Sequence, residues 1–124
     1  MKLAVASDIH LEFGPITLKN EENADVLILS GDICVAADVK PVDDLLDSNR
    51  SKKIHEFFEN CCKEFKQVLY VMGNHEYYHG DYAYVIPYLK EHLDFSNLHI
   101  LNNETIKIDD FTFIGGSLWT NMNK

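Results

Sequence analysis

Residues 68–76 read Val68-Leu69-Tyr70-Val71-Met72-Gly73-Asn74-His75-Glu76: five apolar side chains in a row, then a glycine and three polar groups. A continuous apolar run this short, ended by a turn residue, is the pattern of a parallel strand covered on both faces. The polar residues then fall just beyond its carboxyl end. The same construction occurs twice upstream. Leu3 to Ala6 runs into Ser7-Asp8-Ile9-His10, and Ala24 to Leu29 (Ala-Asp-Val-Leu-Ile-Leu) runs into Ser30-Gly31-Asp32. Three strands therefore deliver Asp, His and Asn to one edge of a sheet, the edge at which open α/β sheets bind ligands.

The segments between the runs complete the pattern. Ile54, Phe57, Phe58, Cys61, Cys62 and Phe65 form one apolar stripe at helical period, with Lys52, Lys53, Glu56, Glu59, Lys63 and Glu64 on the opposite face. Asp38 to Arg50, acidic and interrupted by Pro41, predicts a loop with a helical turn. A second helix is expected from Asp81, a good N-cap, to Leu93, with Pro87 imposing a kink or a late start. Leu98 to Leu101 predicts a fourth strand. Thr105 to Ile108 and Phe111 to Gly115 predict a hairpin around Asp109-Asp110. The alternation gives an α/β class with right-handed crossovers, organised as a single domain over residues 1–124.

Composition narrows the function classes. The chain is 46% hydrophobic and 25% charged, an ordinary globular balance, and 124 residues suffice for one modest core. No apolar run reaches membrane-spanning length. The apolar stretch ending at Ala6 is too short for a signal peptide, so the expectation is a cytoplasmic protein. Three cysteines, two of them the adjacent Cys61 and Cys62, do not make a disulfide framework. Cys61 and Cys62 read as small apolar residues on a buried helix face, with thiolate metal ligation as the alternative. A net charge of −9, with Arg50 the only arginine, argues against broad binding to a nucleic-acid backbone. It agrees, weakly, with carboxylates that await divalent cations.

No single polar cluster is informative alone. Chance predicts about 0.5 Asp-x-His pairs in a chain with this many Asp and His residues. The conjunction carries the argument, because each cluster follows its own strand and each supplies hard or borderline donors. Asp oxygens, a His nitrogen and an Asn carbonyl suit Mn, Fe, Zn or Mg, and no soft thiolate set accompanies them. Along an extended backbone, Asp8 and His10 would point the same way, so that one ion could take both. A single carboxylate can bridge two cations about 3.5–4 Å apart, and such a pair binds a phosphate ester and acidifies a bridging water.

Taken together, Asp8 to His10, Gly31 to Ile33, Gly73 to Tyr78 and Gly116 to Thr120 resemble the calcineurin-like metallophosphoesterase superfamily, closest to its bacterial and phage branch, from Met1 to Thr120. The resemblance implies a sandwich of two sheets flanked by helices, of which this chain would form the mainly parallel N-terminal half. It implies Asp8 and His10 on a first divalent metal, Asp32 bridging to a second, Asn74 on the second, and His75 stabilising or protonating the leaving oxygen. Asn74 and His75 would also meet the substrate. The implied activity is metal-dependent hydrolysis of a phosphomonoester or phosphodiester by metal-bound hydroxide. The family's later ligands, including a Gly-His-x-His motif, have no counterpart after Trp119. The expectation is therefore that a dimer mate or a C-terminal partner chain completes the site and covers an exposed sheet face, with one ion bound in its absence. The alternative is an inactive shortened relative serving as a binding or regulatory module, or a split-gene fragment.

The neighbouring residues receive plainer readings. Glu76 supports its loop instead of binding metal. Tyr77, Tyr78 and Trp119 are core aromatics or walls of a substrate pocket. Val35 stands where the phosphatase branch has an Asp partner for the histidine, with Asp38 as the candidate substitute. Cys34 is a packing residue, since nothing basic in sequence is placed to activate it. His55, His92 and His99 lie on helix surfaces or strand edges, and His79 in an exposed loop.

Overall fold

In the computed structural model, which describes residues 1–39, 48–77 and 84–116, the apolar runs are strands of one sheet. β1 (Leu3–Ala6), β2 (Val26–Ser30), β3 (Gln67–Val71) and β4 (Leu98–Ile100) lie in the order β1-β2-β3-β4, each pair parallel. Ala6 is level with Leu29, and Leu29 with Tyr70. The first three strands thus end together, and the segments that follow leave from one edge. The strand limits differ from the sequence expectation by one or two residues, the usual fraying of element ends.

Two helices cover the sheet. α1 (Ser48–Glu64) and α2 (Val85–His92) lie on the same face, as a sequential strand order with crossovers of one hand requires. The core sits there: Ile54, Phe57, Phe58, Cys61 and Phe65 from α1, and Val85 and Leu89 from α2, pack on Leu27, Leu29, Val68, Tyr70, Leu98 and Ile100. Cys61 is part of this core, and burial pushes its thiol up to about 12 and that of Cys62 up to about 11. Among the described residues the convergent ligand group contains neither cysteine, in keeping with their place on the packed face of α1.

α1 begins inside the stretch expected as a loop. Its entry is held by the Ser51 hydroxyl, which donates to the Val39 carbonyl at 3.0 Å, and by His55 Nε2, 2.8 Å from the same oxygen. His55 is therefore half-buried, not a surface residue. α2 starts late, at Val85, with Pro87 in its first turn, where the missing N–H costs nothing. Asp81, Tyr78, His79 and Trp119 lie outside the described residues. β5 (Glu104–Ile108) and β6 (Phe111–Gly115) form the expected hairpin as a separate antiparallel pair, with Asp109 left-handed at the turn.

The expectation that the strands are covered on both faces does not hold for β1 among the described residues. Leu3 and Val5 are 46% and 66% exposed. Both helices occupy the opposite face, and β1 is an edge strand. No described helix is long and apolar enough to cross a membrane.

Candidate metal centre

The site is built where the loops after β1, β2 and β3 meet. The loop after β1 follows the loop after β2 by continuing the parallel ladder beyond the strands. The Asp8 N–H donates to the Gly31 carbonyl at 3.0 Å, that of His10 to Asp32 at 3.0 Å, and that of Leu11 to Ile33 at 2.8 Å. Asp8, His10 and Asp32 all adopt left-handed backbone, with φ of 54°, 53° and 54°. Asp8 and His10 are thus not on the extended backbone expected for Asp-x-His: two left-handed residues, not strand alternation, direct these side chains. Each such residue costs about 1–2 kcal/mol, offset by the loop-to-loop hydrogen bonds.

The loops after β2 and β3 pass so closely that only glycine fits. A Cβ on Gly31 would lie 2.7 Å from the Gly73 nitrogen, and one on Gly73 would lie 2.7 Å from the Asp32 nitrogen. Gly31 also has φ +92°, a conformation side chains rarely adopt.

Glu76, in the short turn His75–Tyr77, ties these loops together. It is wholly buried. Its Oε1 accepts from the N–H of Gly73 at 2.7 Å and of Asp32 at 3.0 Å. Its Oε2 accepts from the Tyr70 hydroxyl at 2.7 Å, the Ile33 N–H at 2.8 Å and the Cys34 N–H at 3.4 Å. The reading of Glu76 as a loop support agrees with this geometry. The reach of that support across 44 residues was invisible to motif spacing.

On this frame three side chains converge. His10, Asp32 and His75 each offer one ligand atom, all within 4.8 Å of one another, and all three are half-buried. The His75 N–H donates to Asp32 Oδ1 at 2.9 Å, its Nδ1 stands 3.5 Å from the same oxygen, and the two imidazoles meet edge-on at 4.3 Å. Two imidazoles and a carboxylate are a borderline donor set suited to Zn, Mn or Fe. With bonds of about 2.1 Å, one ion would need only a small inward movement of the three groups. The set therefore fits a divalent cation.

The remaining candidates sit at the margin. Asp8 is largely exposed, with Oδ1 at 3.8 Å from His10 Nε2 and Oδ2 accepting from the Ser7 hydroxyl at 2.9 Å. Asn74 is exposed at the loop tip, its carbonyl accepting from the Tyr77 N–H at 3.1 Å. His75, assigned from sequence to the leaving oxygen, lies among the candidate ligands. The turn Ala36–Asp38, which carries the candidate partner Asp38, packs against the turn His75–Tyr77, and Asp32 Oδ1 stands 3.5 Å from His75 Nδ1.

A family model described as calcineurin-like phosphoesterase matches residues 1–123. The chain belongs to the calcineurin-like phosphoesterase family. It is 32% identical over 96 residues to an uncharacterised metallophosphoesterase of Helicobacter pylori, covering 77% of this chain and 22% of that protein. It is 35% identical over 79 residues to an uncharacterised protein of Acanthamoeba polyphaga mimivirus, covering 59% of this chain and 28% of that protein. The chain thus spans about a quarter of the length of these curated relatives. No solved structure matches it significantly.

Behind the site of this calcineurin-like phosphoesterase the packing is aromatic. Tyr77 rests against the core, and Tyr70 is completely buried between Phe58, Cys34 and Glu76. Burial, followed by the neighbouring Cys34 and Glu76, holds the Tyr70 phenol well above its ordinary value near 10. A group whose pKa is raised by folding contributes stability below its unfolded value and loses it as pH rises further. Stability is therefore expected to fall above about pH 10. Ultraviolet titration of tyrosinate should leave one of the six tyrosines silent until alkaline unfolding. Six tyrosines ionising together in the native protein would contradict this packing.

Proposed function

We propose that His10, Asp32 and His75, with Asp8 at the rim, form the metal centre of a phosphoesterase that hydrolyses a phosphomonoester or phosphodiester. The convergence of the three ligand atoms within 4.8 Å, at the carboxyl edge of a parallel sheet, carries this reading, and family membership supports it. A bound divalent cation would polarise the phosphoryl oxygens and acidify a water.

Asp8 and His10 would hold a first cation, and Asp32 and Asn74 would serve a second, Asn74 from the exposed loop tip. His75 is oriented by its N–H bond to Asp32. In the alternative role that the resemblance implies, His75 would stay off the cations, meet the substrate and give a proton to the leaving oxygen, a contribution of typically about 10²–10⁴ in rate. The exposed Leu3 and Val5 support a second element of the proposal, an interface on that sheet face with another copy or a partner chain. The three cysteines form no disulfide, which fits a reducing cytoplasmic compartment.

Calorimetric titration with Mn²⁺ tests the centre and counts its ions. Aryl phosphate monoesters and diesters test the reaction. Saturable binding of one or two ions, with hydrolysis that a chelator abolishes, is the expected result. Absence of both binding and hydrolysis across all Mn²⁺ concentrations removes the reading.

A further inference from the structure

We infer that Glu76 is a positioning residue that sets the metal affinity of the centre through the backbone of Asp32, without touching the ion; this rests on the metal-centre reading above. A carboxylate with no exposed surface is tolerated only when donors occupy its oxygens, and here five do. Their identity gives the inference its content. Oε1 joins the N–H of Asp32 to that of Gly73, so one atom holds the loops after β2 and β3 at a fixed spacing. Oε2 takes the N–H of Ile33, the residue after the candidate ligand.

Asp32 is left-handed, at φ 54°. With the N–H groups on both sides of it anchored, it is held in that conformation, and the conformation aims its carboxylate at His10 and His75. Glutamine at 76 would be nearly the same size. It would replace one acceptor oxygen with an NH₂ facing backbone donors, so the loops would separate and Asp32 would relax towards ordinary backbone angles. Groups that orient a metal ligand from behind typically change affinity by about 10–100-fold when altered.

Titration of Mn²⁺ into wild-type, Glu76→Gln and Glu76→Asp proteins, with circular dichroism and metal-free melting on each, reads this directly. The expected result is a folded Glu76→Gln protein whose Mn²⁺ dissociation constant is about 10–100-fold weaker. Glu76→Asp, which keeps a carboxylate, should recover part of the loss. A lower melting temperature with an unchanged dissociation constant would make Glu76 purely a stability element and overturn the inference alone. Wild-type protein that takes up no Mn²⁺ would overturn the metal-centre reading and this inference with it.

Amide hydrogen exchange in the metal-free wild type keeps the question decidable when Glu76→Gln does not fold. Asp32, Ile33 and Gly73 should be protected as strongly as β2, and adding Mn²⁺ should raise their protection no more than it raises that of β2. Exchange that is fast until Mn²⁺ arrives would place the ordering in the ion and refute the role of Glu76.

Discussion

Asp32→Asn is expected to abolish cation binding while leaving the fold intact. Asparagine matches aspartate in size and tolerates left-handed backbone, so the φ of 54° at this position remains accessible. Its amide oxygen can still accept the His75 N–H that Asp32 Oδ1 accepts at 2.9 Å. Its backbone N–H can still reach Glu76. What disappears is the negative charge between the imidazoles of His10 and His75, and with it the only carboxylate of the three-ligand set. Loss of a group that merely orients a ligand costs about 10–100-fold in affinity, so loss of the ligand itself should exceed about 100-fold. Calorimetry with Mn²⁺ measures this, and hydrolysis of an aryl phosphate diester should fall in parallel. Melting in the presence of a chelator serves as the control. Undiminished Mn²⁺ binding by a folded Asp32→Asn protein would remove Asp32 from the centre.

Gly31→Ala should be the most destabilising single methyl addition near the site. Two independent penalties meet at this position. Alanine at φ +92° carries backbone strain of about 1–2 kcal/mol. Its Cβ would also stand 2.7 Å from the nitrogen and 2.9 Å from the Cα of Gly73. These are backbone atoms held by Glu76, which cannot swing aside like a side chain, and overpacking of this kind costs about 1–3 kcal/mol. Together they amount to about 2–5 kcal/mol, a large share of the roughly 5–15 kcal/mol that holds a domain together. The melting temperature of the metal-free protein should drop by about 10 °C or more. Gly73→Ala meets Asp32 Oδ1 and the Asp32 nitrogen, but the side chain can shift and there is no positive-φ penalty, so its drop should be smaller. Equal melting temperatures for wild type and Gly31→Ala would mean that the two loops are not in contact.

Much of this molecule could be read along the chain. Leu3–Ala6, Val26–Ser30 and Gln67–Val71 are strands because their apolar runs are short, continuous and closed by turn residues. The stripe from Ile54 to Phe65 is buried because its spacing matches the helical period. The placing of Asp8, His10, Asp32, Asn74 and His75 after strand ends followed from the same local patterns. Such signals are legible because hydrophobic periodicity and turn chemistry act between residues close in sequence.

Relations between distant segments were beyond that reach. An exposed apolar sheet face was expected, but that Leu3 and Val5 lie on it depends on which face α1 and α2 cover. The left-handed turns at Asp8 and His10 answer to the adjoining loop after β2, through bonds to Gly31 and Asp32. The weight carried by Glu76 arises from donors 42 to 44 residues away. Local order can therefore be inferred from the residues themselves. Which groups end up within bonding distance depends on how separate loops are clamped, because backbone hydrogen bonds of that kind exist only once the chain has packed.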